Sequence, residues 1–431
     1  MYYPIIDGQL FINHLPLYLF LFSLLFFVIL FVTIKLSYPF WNTQPVFHSY
    51  DFWRYWTRTP FLIQKNYPLK TKFCNFKNIK TFDYLETSEI QKKEFVDLLQ
   101  CYYIPDETAL YVFNLENLDY YMTAHSSPSY LSFFYEDYYT THNISPSIIT
   151  NDSLIDTIQK PSGCISSRTV VFSLLNEPKR SCYFLDFICV KREKQEKHLS
   201  RNLIQTHEFR QRTLNLDLTK SNSEESRPIS ITIFKKEVDL CKGIVPLVEY
   251  DTKIWKIQNE PLKKLPVHFV LIEIGRENMN LFMDFIEMSQ SKYACFGIAE
   301  WGNIRGLIEK RLLMVYCIQR AKDIYSAYFF RDSRTQYEDQ GVMLVLCGSI
   351  HNSNSEDMFY MGFLHSLRAI LKRTPIFQLF MIENISHNSL IYERYSQTNP
   401  YFFGENKAAY YLYNYVVPKQ PFPKDKIFMV F

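Results

Sequence analysis

The sequence predicts a mixed α/β (α+β) protein of two related halves, preceded by one N-terminal transmembrane helix. Three observations support this prediction. Residues 15–34 are almost wholly apolar. Residues 181–204 join an apolar strand to a helix through a charged run. After residue 240, strand-like and helix-like segments recur in the same broad order as before it, although no sequence repeat is visible.

Composition sets limits on the class of protein. The chain has 431 residues, enough for two or three domains. Its formal net charge of +3 is close to balance, and no basic run alternates with aromatic residues, so we expect no nucleic acid as a partner. The nine cysteines are scattered without a Cys-x-x-Cys pair, and the histidines show no metal-ligand spacing. We therefore expect neither a disulfide framework nor a metal site. A reducing compartment is the location that fits this cysteine usage.

The apolar stretch at residues 15–34 is long enough to cross a hydrocarbon core as a helix. A cleaved signal peptide is the alternative, but residues 1–14 contain no Lys or Arg and no small-residue cleavage pattern follows. We expect a short tail at 1–14 and a retained span at 15–36. The nearest basic residues all lie C-terminal to it: Lys35, Arg54, Arg58, Lys65 and Lys70. The positive-inside tendency then predicts a single-pass membrane protein whose C-terminal part faces the cytosol.

The central segment is residues 181–204. Residues 183–190 are apolar at nearly every position, which predicts a strand covered on both faces. The charged run that follows leads into a helix with Leu199, Leu203 and Ile204 on one face. The N–H groups at the start of that helix would lie at the end of the buried strand, where an anion is readily bound. A strand–helix unit of any α/β domain would show the same pattern.

Three short blocks resemble one family. FICV (187–190), with the basic run and Leu-rich helix after it, resembles the acyl-CoA-binding signature of the N-myristoyltransferases, a branch of the GNAT superfamily. FWNTQPV (40–46), which alone could be a juxtamembrane aromatic belt, matches all six fixed positions of the family's F-W-x-T-Q-P-V sequence. YYLYN (410–414) matches part of a second family signature. The resemblance covers residues 38–431 and implies a divergent, membrane-anchored member.

The resemblance also implies an architecture. Two GNAT-like halves related by pseudo-twofold symmetry are expected, at residues 61–240 and 241–431, after a juxtamembrane segment at 37–60. The first half would bind acyl-CoA. The second would bind the peptide and supply the C-terminal carboxylate.

Acyl-CoA, myristoyl-CoA in the family, is implied as the co-substrate, with no prosthetic group and no metal. The residues expected to hold it are Phe40, Trp41, Val190, Arg192, Lys197, His198, Leu199 and Ser200. In the pyrophosphate loop the family's Arg-Ser-Lys-Arg is replaced by QEKH (195–198), which removes charged donors and adds an acid.

Acyl transfer to an amine requires a base, because an α-amino group with a pKa near about 8 is mostly protonated at neutral pH. The sequence finishes IFMVF (427–431), an apolar run that we expect to pack as a strand. The resemblance implies that the carboxylate of Phe431 is the base. It also implies that the backbone N–H groups of Phe187 and Ile188 receive the oxyanion.

The acceptor is implied to be the N-terminal glycine of a protein. The residues assigned to it are Tyr103, Asp106, Glu107, Asp186, Gly404 and Glu405. Asp106 and Glu107 follow a predicted helix at 87–103, and an ordinary solvated turn is the alternative there. GEN (404–406) stands where the family has a Gly-Asp-Gly turn, and Asn tolerates a left-handed backbone.

Departures from the family keep two alternatives open. IFKKEV (233–238) replaces a Thr-Ala-Gly segment beside the substrate glycine, and its two lysines could fill the groove. One alternative is therefore a catalytically degenerate membrane scaffold or acyl-CoA-binding protein. The other is a GNAT enzyme with a different acyl donor or amine acceptor. Between the blocks, residues 126–161 are polar and predicted to be loop.

Overall fold

The structure, a computed structural model, describes residues 8–104, 108–139, 157–174, 177–192, 198–221, 228–258, 262–338, 340–352 and 355–431. Its helices are α1 (Gly8–Ser37), α2 (Phe52–Tyr55), α3 (Glu89–Tyr102), α4 (Leu115–Met122), α5 (Leu199–Ser221), α6 (Met279–Ser289), α7 (Trp301–Glu309), α8 (Glu356–Arg373) and α9 (Asn388–Thr398).

The strands are β1 (Phe61–Leu62), β2 (Ile79–Asp83), β3 (Ala109–Tyr111), β4 (Tyr130–Tyr139), β5 (Thr157–Leu174), β6 (Arg180–Val190), β7 (Thr232–Glu237), β8 (Val248–Lys256), β9 (Val270–Glu273), β10 (Cys295–Ala299), β11 (Leu313–Arg320), β12 (Asp323–Tyr337), β13 (Gly341–His351), β14 (Phe377–Glu383), β15 (Phe402–Tyr413), β16 (Tyr415–Val416) and β17 (Ile427–Val430). In the described part of the chain, β1 pairs with β16, and the other fifteen strands form one sheet. Its main path is β17-β10-β5-β6-β7-β15-β8-β14-β13-β12-β11-β9, with β2, β4 and β3 attached beside it.

Two halves repeat one order of elements. β2-α3-β3-α4-β4-β5-β6-α5-β7 in the first half corresponds to β9-α6-β10-α7-β11-β12-β13-α8-β14 in the second. In both, three antiparallel strands precede a helix and a strand parallel to the third. Each half also lends a short strand to the other, because β3 pairs with β12 and β10 pairs with β5. The architecture confirms the predicted α/β fold of two related halves, and the predicted 240/241 boundary lies between β7 and β8.

The strand predicted at the centre of the first half is β6. Phe187 and Cys189 face the large core cluster that includes α3 and α4, whereas Val190 faces a smaller cluster beneath α5. Gly163 of β5 lets α5 approach closely, since a Cβ there would lie 3.0 Å from Leu203 Cδ1. Apolar side chains on both faces thus explain the continuous apolar run.

Two local predictions were wrong. The region 126–161, predicted as loop, contains β4 and the start of β5. Leu131 and Phe133 of β4 pack into the large core while Phe134 packs under α5, so a strand rich in aromatic residues was mistaken for a polar loop. The turn predicted at 404–406 is instead part of β15, paired in register with β8. The backbone there is held extended by its neighbour strand, which sequence spacing does not reveal.

The predicted membrane span corresponds to α1. Residues Leu15–Ser37 are long and apolar enough to cross a membrane, and none of that stretch is buried inside the molecule. Length and composition are the evidence for a span.

Candidate active site

The site forms where two parallel strands part. β6 and β7 pair over three residues, Tyr183–Thr232 to Leu185–Phe234, and β7 then continues along β15. At the same point β6 bulges, with Asp186 and Phe187 opposing Ser166 of β5. A wedge therefore opens between β6 and β7, and beyond Leu185 the edge of β6 that faces β7 is not paired with that strand.

One feature lies beside the point where β6 and β7 part, which we call the mouth of the wedge, and a second follows the end of β6. The Trp41 ring stacks on Phe234, the last β7 residue paired with β6, with ring centroids 5.7 Å apart and planes 4° apart. Phe40 packs edge-on against Trp41 at 4.9 Å. After the end of β6, α5 begins at Leu199, and the first N–H groups of a helix have no intrahelical partner. Aromatic faces thus lie where β6 and β7 part, and backbone donors follow the end of β6.

The other residues predicted to hold acyl-CoA occupy different environments. The side chains of Val190 and Leu199 are buried in the cluster beneath α5, so they can offer only backbone groups to a ligand. Arg192, His198 and Ser200 are exposed at the α5 end of β6. Lys197 lies outside the described residues.

The FWNTQPV block (40–46) and the YYLYN block (410–414) contact each other. Tyr413 donates to Gln44 Oε1 at 2.7 Å, and the Asn414 N–H donates to the Pro45 carbonyl at 2.6 Å. Asn414, with φ +63°, also donates through Nδ2 to the carbonyls of Gln64 and Ser230 and accepts from the Gln64 N–H. The residues that resemble the family at opposite ends of the chain thus form one unit.

The last residue of the sequence lies inside the molecule. Phe431 is 6% exposed and follows β17, as the apolar tail predicted. Its ring lies 4.7 Å from Phe184 of β6 and 6.0 Å from Tyr410 of β15. Gly297 makes room for it, because a Cβ there would lie 2.6 Å from Phe431 Cζ. Its main-chain oxygen accepts from Arg331 Nη1 at 3.2 Å.

A charged network surrounds that contact. Arg331 Nη2 donates at 3.4 Å to Glu383 Oε1, a carboxylate 1% exposed, and Lys235 Nζ donates to the same oxygen at 3.0 Å. Tyr250 donates to the other Glu383 oxygen at 3.0 Å, and Lys235 also pairs with Glu237 at 2.6 Å. Burial alone would lower the pKa of Lys235, but the charges of Glu237 and Glu383 outweigh it and raise that pKa. Lys235 is therefore held as an ammonium.

The residues predicted to receive the oxyanion lie on the bulge. The Phe187 ring is enclosed by aromatic side chains, among them Tyr103 at 5.6 Å, and its N–H donates to Ser166 Oγ at 3.3 Å. The Ile188 side chain is 39% exposed. Burial raises the pKa of Tyr103, and the charges of Glu237 and Asp186 raise it further. Tyr103 thus lies beside the same charged groups.

The other residues predicted to bind the acceptor lie in separate contacts. Asp186 forms an ion pair with Arg168, a fully buried residue that also donates to Asn303 Oδ1 at 3.0 Å. Glu405 pairs with Lys253 of β8 at 3.7 Å, and Gly404 precedes it on β15 with open space beside its Cα. Asp106 and Glu107 lie outside the described residues.

Sequence reasoning missed Arg331, Glu383 and Arg168. For Arg331 and Glu383 the available signal was the position of the charge at the end of an apolar run, YFFR (328–331) and FMIE (380–383). A buried charge is expected to have a partner, but the partner is far away in sequence. Among the described residues, no group of three or more His, Cys, Asp or Glu could hold a metal ion.

Comparison with known proteins gave structural matches. No protein-family model matches the chain, and no curated protein matches its sequence. Two structures of Saccharomyces cerevisiae N-myristoyltransferase with bound myristoyl-CoA match with TM-scores of 0.61 and 0.63, both at 13% identity, covering 88% and 91% of this chain and 93% and 94% of theirs. A third structure of the same enzyme, with myristoyl-CoA and inhibitors, matches with a TM-score of 0.63 at 12% identity, covering 90% of this chain and 92% of its own. The chain has the fold of an N-myristoyltransferase.

The N-myristoyltransferase fold confirms the resemblance drawn from the three short blocks. The match covers 88% to 91% of this chain, so it extends over both halves. At 13% identity the likeness establishes the fold, while activity depends on the residues within the wedge.

Proposed function

We propose that this protein is a membrane-anchored N-acyltransferase that moves a fatty acyl group, myristoyl, from acyl-CoA to the N-terminal glycine amine of protein substrates. The observation that supports this most is the burial of Phe431 against β6, close to where β6 and β7 part, in an N-myristoyltransferase fold.

In this proposal acyl-CoA binds along the wedge. Its pyrophosphate lies at the N-terminus of α5, where the first backbone N–H groups and the helix dipole favour an anion. Its pantetheine arm runs beside the free edge of β6, with Phe40 and Trp41 packed over the mouth. Lys197, Arg192 and His198 supply the remaining donors.

The acceptor ammonium then gives its proton to the Phe431 carboxylate, and the amine nitrogen attacks the thioester carbonyl carbon. The oxyanion accepts from the N–H groups of Phe187 and Ile188. The Phe187 N–H then exchanges its acceptor, from Ser166 Oγ to the oxyanion, because a charged acceptor forms a hydrogen bond about twice as strong as a neutral one. The C–S bond then breaks, the nitrogen gives its second proton to the departing sulfur, and CoA leaves as the thiol.

Arg331 supports the base in this scheme. A guanidinium beside a carboxylate favours its ionised form, so the base remains unprotonated in mildly acidic solution. Tyr103, Asp186, Gly404 and Glu405 stay assigned to the acceptor side, and Asp106 and Glu107 would attract a basic residue of the peptide.

The anchor in this proposal is α1, with the body on the cytosolic side. A membrane location suits the reaction, because the acylated product gains about 0.8 kcal/mol per methylene buried in lipid.

Lys235 favours a second candidate, an acyl-CoA-binding protein that does not transfer. Its ammonium is ion-paired 2.6 Å from Glu237 on the strand to which the resemblance assigns the acceptor glycine. An ammonium fixed there competes with the incoming amine for space and for carboxylate partners.

The test uses the full chain in detergent with labelled myristoyl-CoA and a peptide that begins with glycine. We expect label on the peptide, none on the same peptide with an acetylated N-terminus, and loss of transfer when residues 430–431 are removed. Phe431→Leu is the matched control, since it keeps a carboxylate at the same position. Binding of acyl-CoA without transfer would favour the second candidate. Transfer from labelled acetyl-CoA but not from myristoyl-CoA would refute the fatty donor.

A further inference from the structure

Three large aromatic side chains project into solvent just after the anchor. Phe52 is 65% exposed, Trp53 86% and Trp56 82%. We call these three residues the aromatic patch. Large apolar side chains that lie together on a surface mark a contact with a partner or a membrane, because apolar area left in water is unfavourable.

The patch is held outward by its own short helix. Arg54 Nη1 donates to the Val46 carbonyl at 2.7 Å, and Arg54 Nε pairs with Asp51 at 3.0 Å. The Tyr55 ring lies 4.6 Å from the buried ring of Phe47. Because α2 is fixed to the body by Arg54 and Tyr55, the exposure of its other side chains is a property of the folded surface.

The patch also lies close to the end of α1. Tyr38, directly after α1, donates its N–H to the Ile34 carbonyl at 3.0 Å, and its ring stacks on Tyr50 at 6.2 Å. Gly243, with φ +84°, accepts this ring closely, since a Cβ there would lie 2.8 Å from it. Tyr50 precedes Phe52 by two residues. The end of α1 is therefore docked on the body beside the patch.

Charge around the patch is one-sided. Between residues 35 and 70 the chain has five basic residues and one acid, Asp51, which is paired with Arg54. Trp and Tyr favour the membrane–water interface, and basic residues favour an anionic leaflet.

We infer that the aromatic patch inserts into the headgroup region of the membrane that α1 crosses, as a second contact that holds the body against the lipid surface. This rests on the proposed anchoring by α1. His48 Nε2 lies 2.8 Å from the Trp41 carbonyl oxygen, so the segment that bears the patch is joined to the mouth of the wedge. Acyl-CoA would then enter the wedge from the membrane side.

Tryptophan fluorescence can test this with the full chain. The five tryptophans are Trp41, Trp53, Trp56, Trp255 and Trp301, and none lies in residues 1–37. Trp emission therefore reports on the body and not on α1. The protein is reconstituted into phosphatidylcholine/phosphatidylserine vesicles with and without lipid brominated near the headgroup end of the acyl chain. Flotation of the vesicles measures anchoring separately.

We expect brominated lipid to quench the emission, and the double variant Trp53→Gln/Trp56→Gln to lose at least half of that quenching. Trp301→Phe is the control and retains it. If the double variant does not fold, each single variant is expected to lose part of the quenching. Protein that floats with the vesicles but is not quenched by the brominated lipid would overturn this inference and leave the anchor by α1 intact. In that case, quenching by aqueous acrylamide would place the patch in water. Protection from both quenchers would place it under protein. Failure to float overturns the anchor as well.

Discussion

At the scale of single residues, Arg331 and Lys235 share one carboxylate oxygen of Glu383. Arg331 contacts both the Phe431 oxygen and Glu383, and Glu383 in turn holds Lys235. Removal of any member leaves a buried charge without its partner, which costs more than the net value of the pair. The network is therefore expected to act as a unit.

Arg331→Gln tests the role proposed for the guanidinium. Without the cation beside it the Phe431 carboxylate is protonated more readily, so the acid limb of kcat/KM is expected to move to higher pH. The measurement is transfer of label between pH 5 and 9. Arg320→Gln, at the exposed end of β11, is the control and should leave the profile unchanged. An unshifted acid limb in Arg331→Gln would show that the guanidinium does not set the ionisation of the base.

At the scale of elements, α5 is unusual because its buried face is largely polar. The buried polar residues on it are Gln205, Thr206, His207, Glu208, Gln211, Arg212 and Asn215. His207 lies between Ser132 and Ser167, 2.8 Å from each hydroxyl, and burial lowers its pKa to about 3. Gln211 Nε2 donates to Glu208 Oε1 and to Thr232 Oγ1, both at 2.9 Å. The helix that begins at the proposed anion site is thus joined to the sheet by hydrogen bonds more than by apolar packing.

Glu208 makes this arrangement sensitive to pH. Burial raises the pKa of Glu208 to about 7, from 4.5, so the folded state binds a proton that the unfolded state releases between those values. Stability is therefore lost as pH rises from 4.5 to about 7. Glu208→Gln should remove that loss and exceed the parent by up to about 3 kcal/mol at pH 8, with little difference at pH 4.

The check is urea unfolding in detergent at both pH values. Glu287→Gln, at an exposed position on α6, is the control. Equal stability changes at pH 4 and pH 8 would mean that Glu208 does not titrate on unfolding.

At the scale of the whole molecule, the two halves are interlocked. β10 of the second half pairs with β5, β3 of the first half pairs with β12, and β17 returns to lie beside β10. The site draws β6 and β7 from one half, and Arg331 and Glu383 from the other. Neither half is expected to form the site alone.

Asn414 joins distant parts of this assembly. Asn414→Ala would leave the Gln64 and Ser230 carbonyls and the Gln64 N–H without their present partners and place a Cβ-bearing residue without a polar side chain at φ +63°. We expect a loss of about 2–4 kcal/mol in the free energy of unfolding, from the three lost hydrogen bonds and the backbone strain. Asn406→Ala, at an exposed position on β15, should change it by less than about 0.5 kcal/mol. Equal effects of the two substitutions would remove Asn414 from this role.

Local pattern was sufficient for much of the fold. The continuous apolar run of β6, the helix predicted at 87–103 and the apolar tail of β17 each reflect the burial of their own side chains. β4 was missed because its aromatic residues face two different cores, and the extended backbone at 404–406 because β8 holds it.

By itself, the sequence determined an apolar helix of membrane-spanning length, an α/β chain in two halves and three blocks that resemble one family. Only the tertiary structure decided that β6 and β7 part beside Phe431, and that Arg331, Glu383 and Lys235 converge there. The physical reason is range. Periodicity and propensity act over a few residues, whereas Arg331 and Phe431 are a hundred positions apart and meet only because strands from both halves are paired in one sheet.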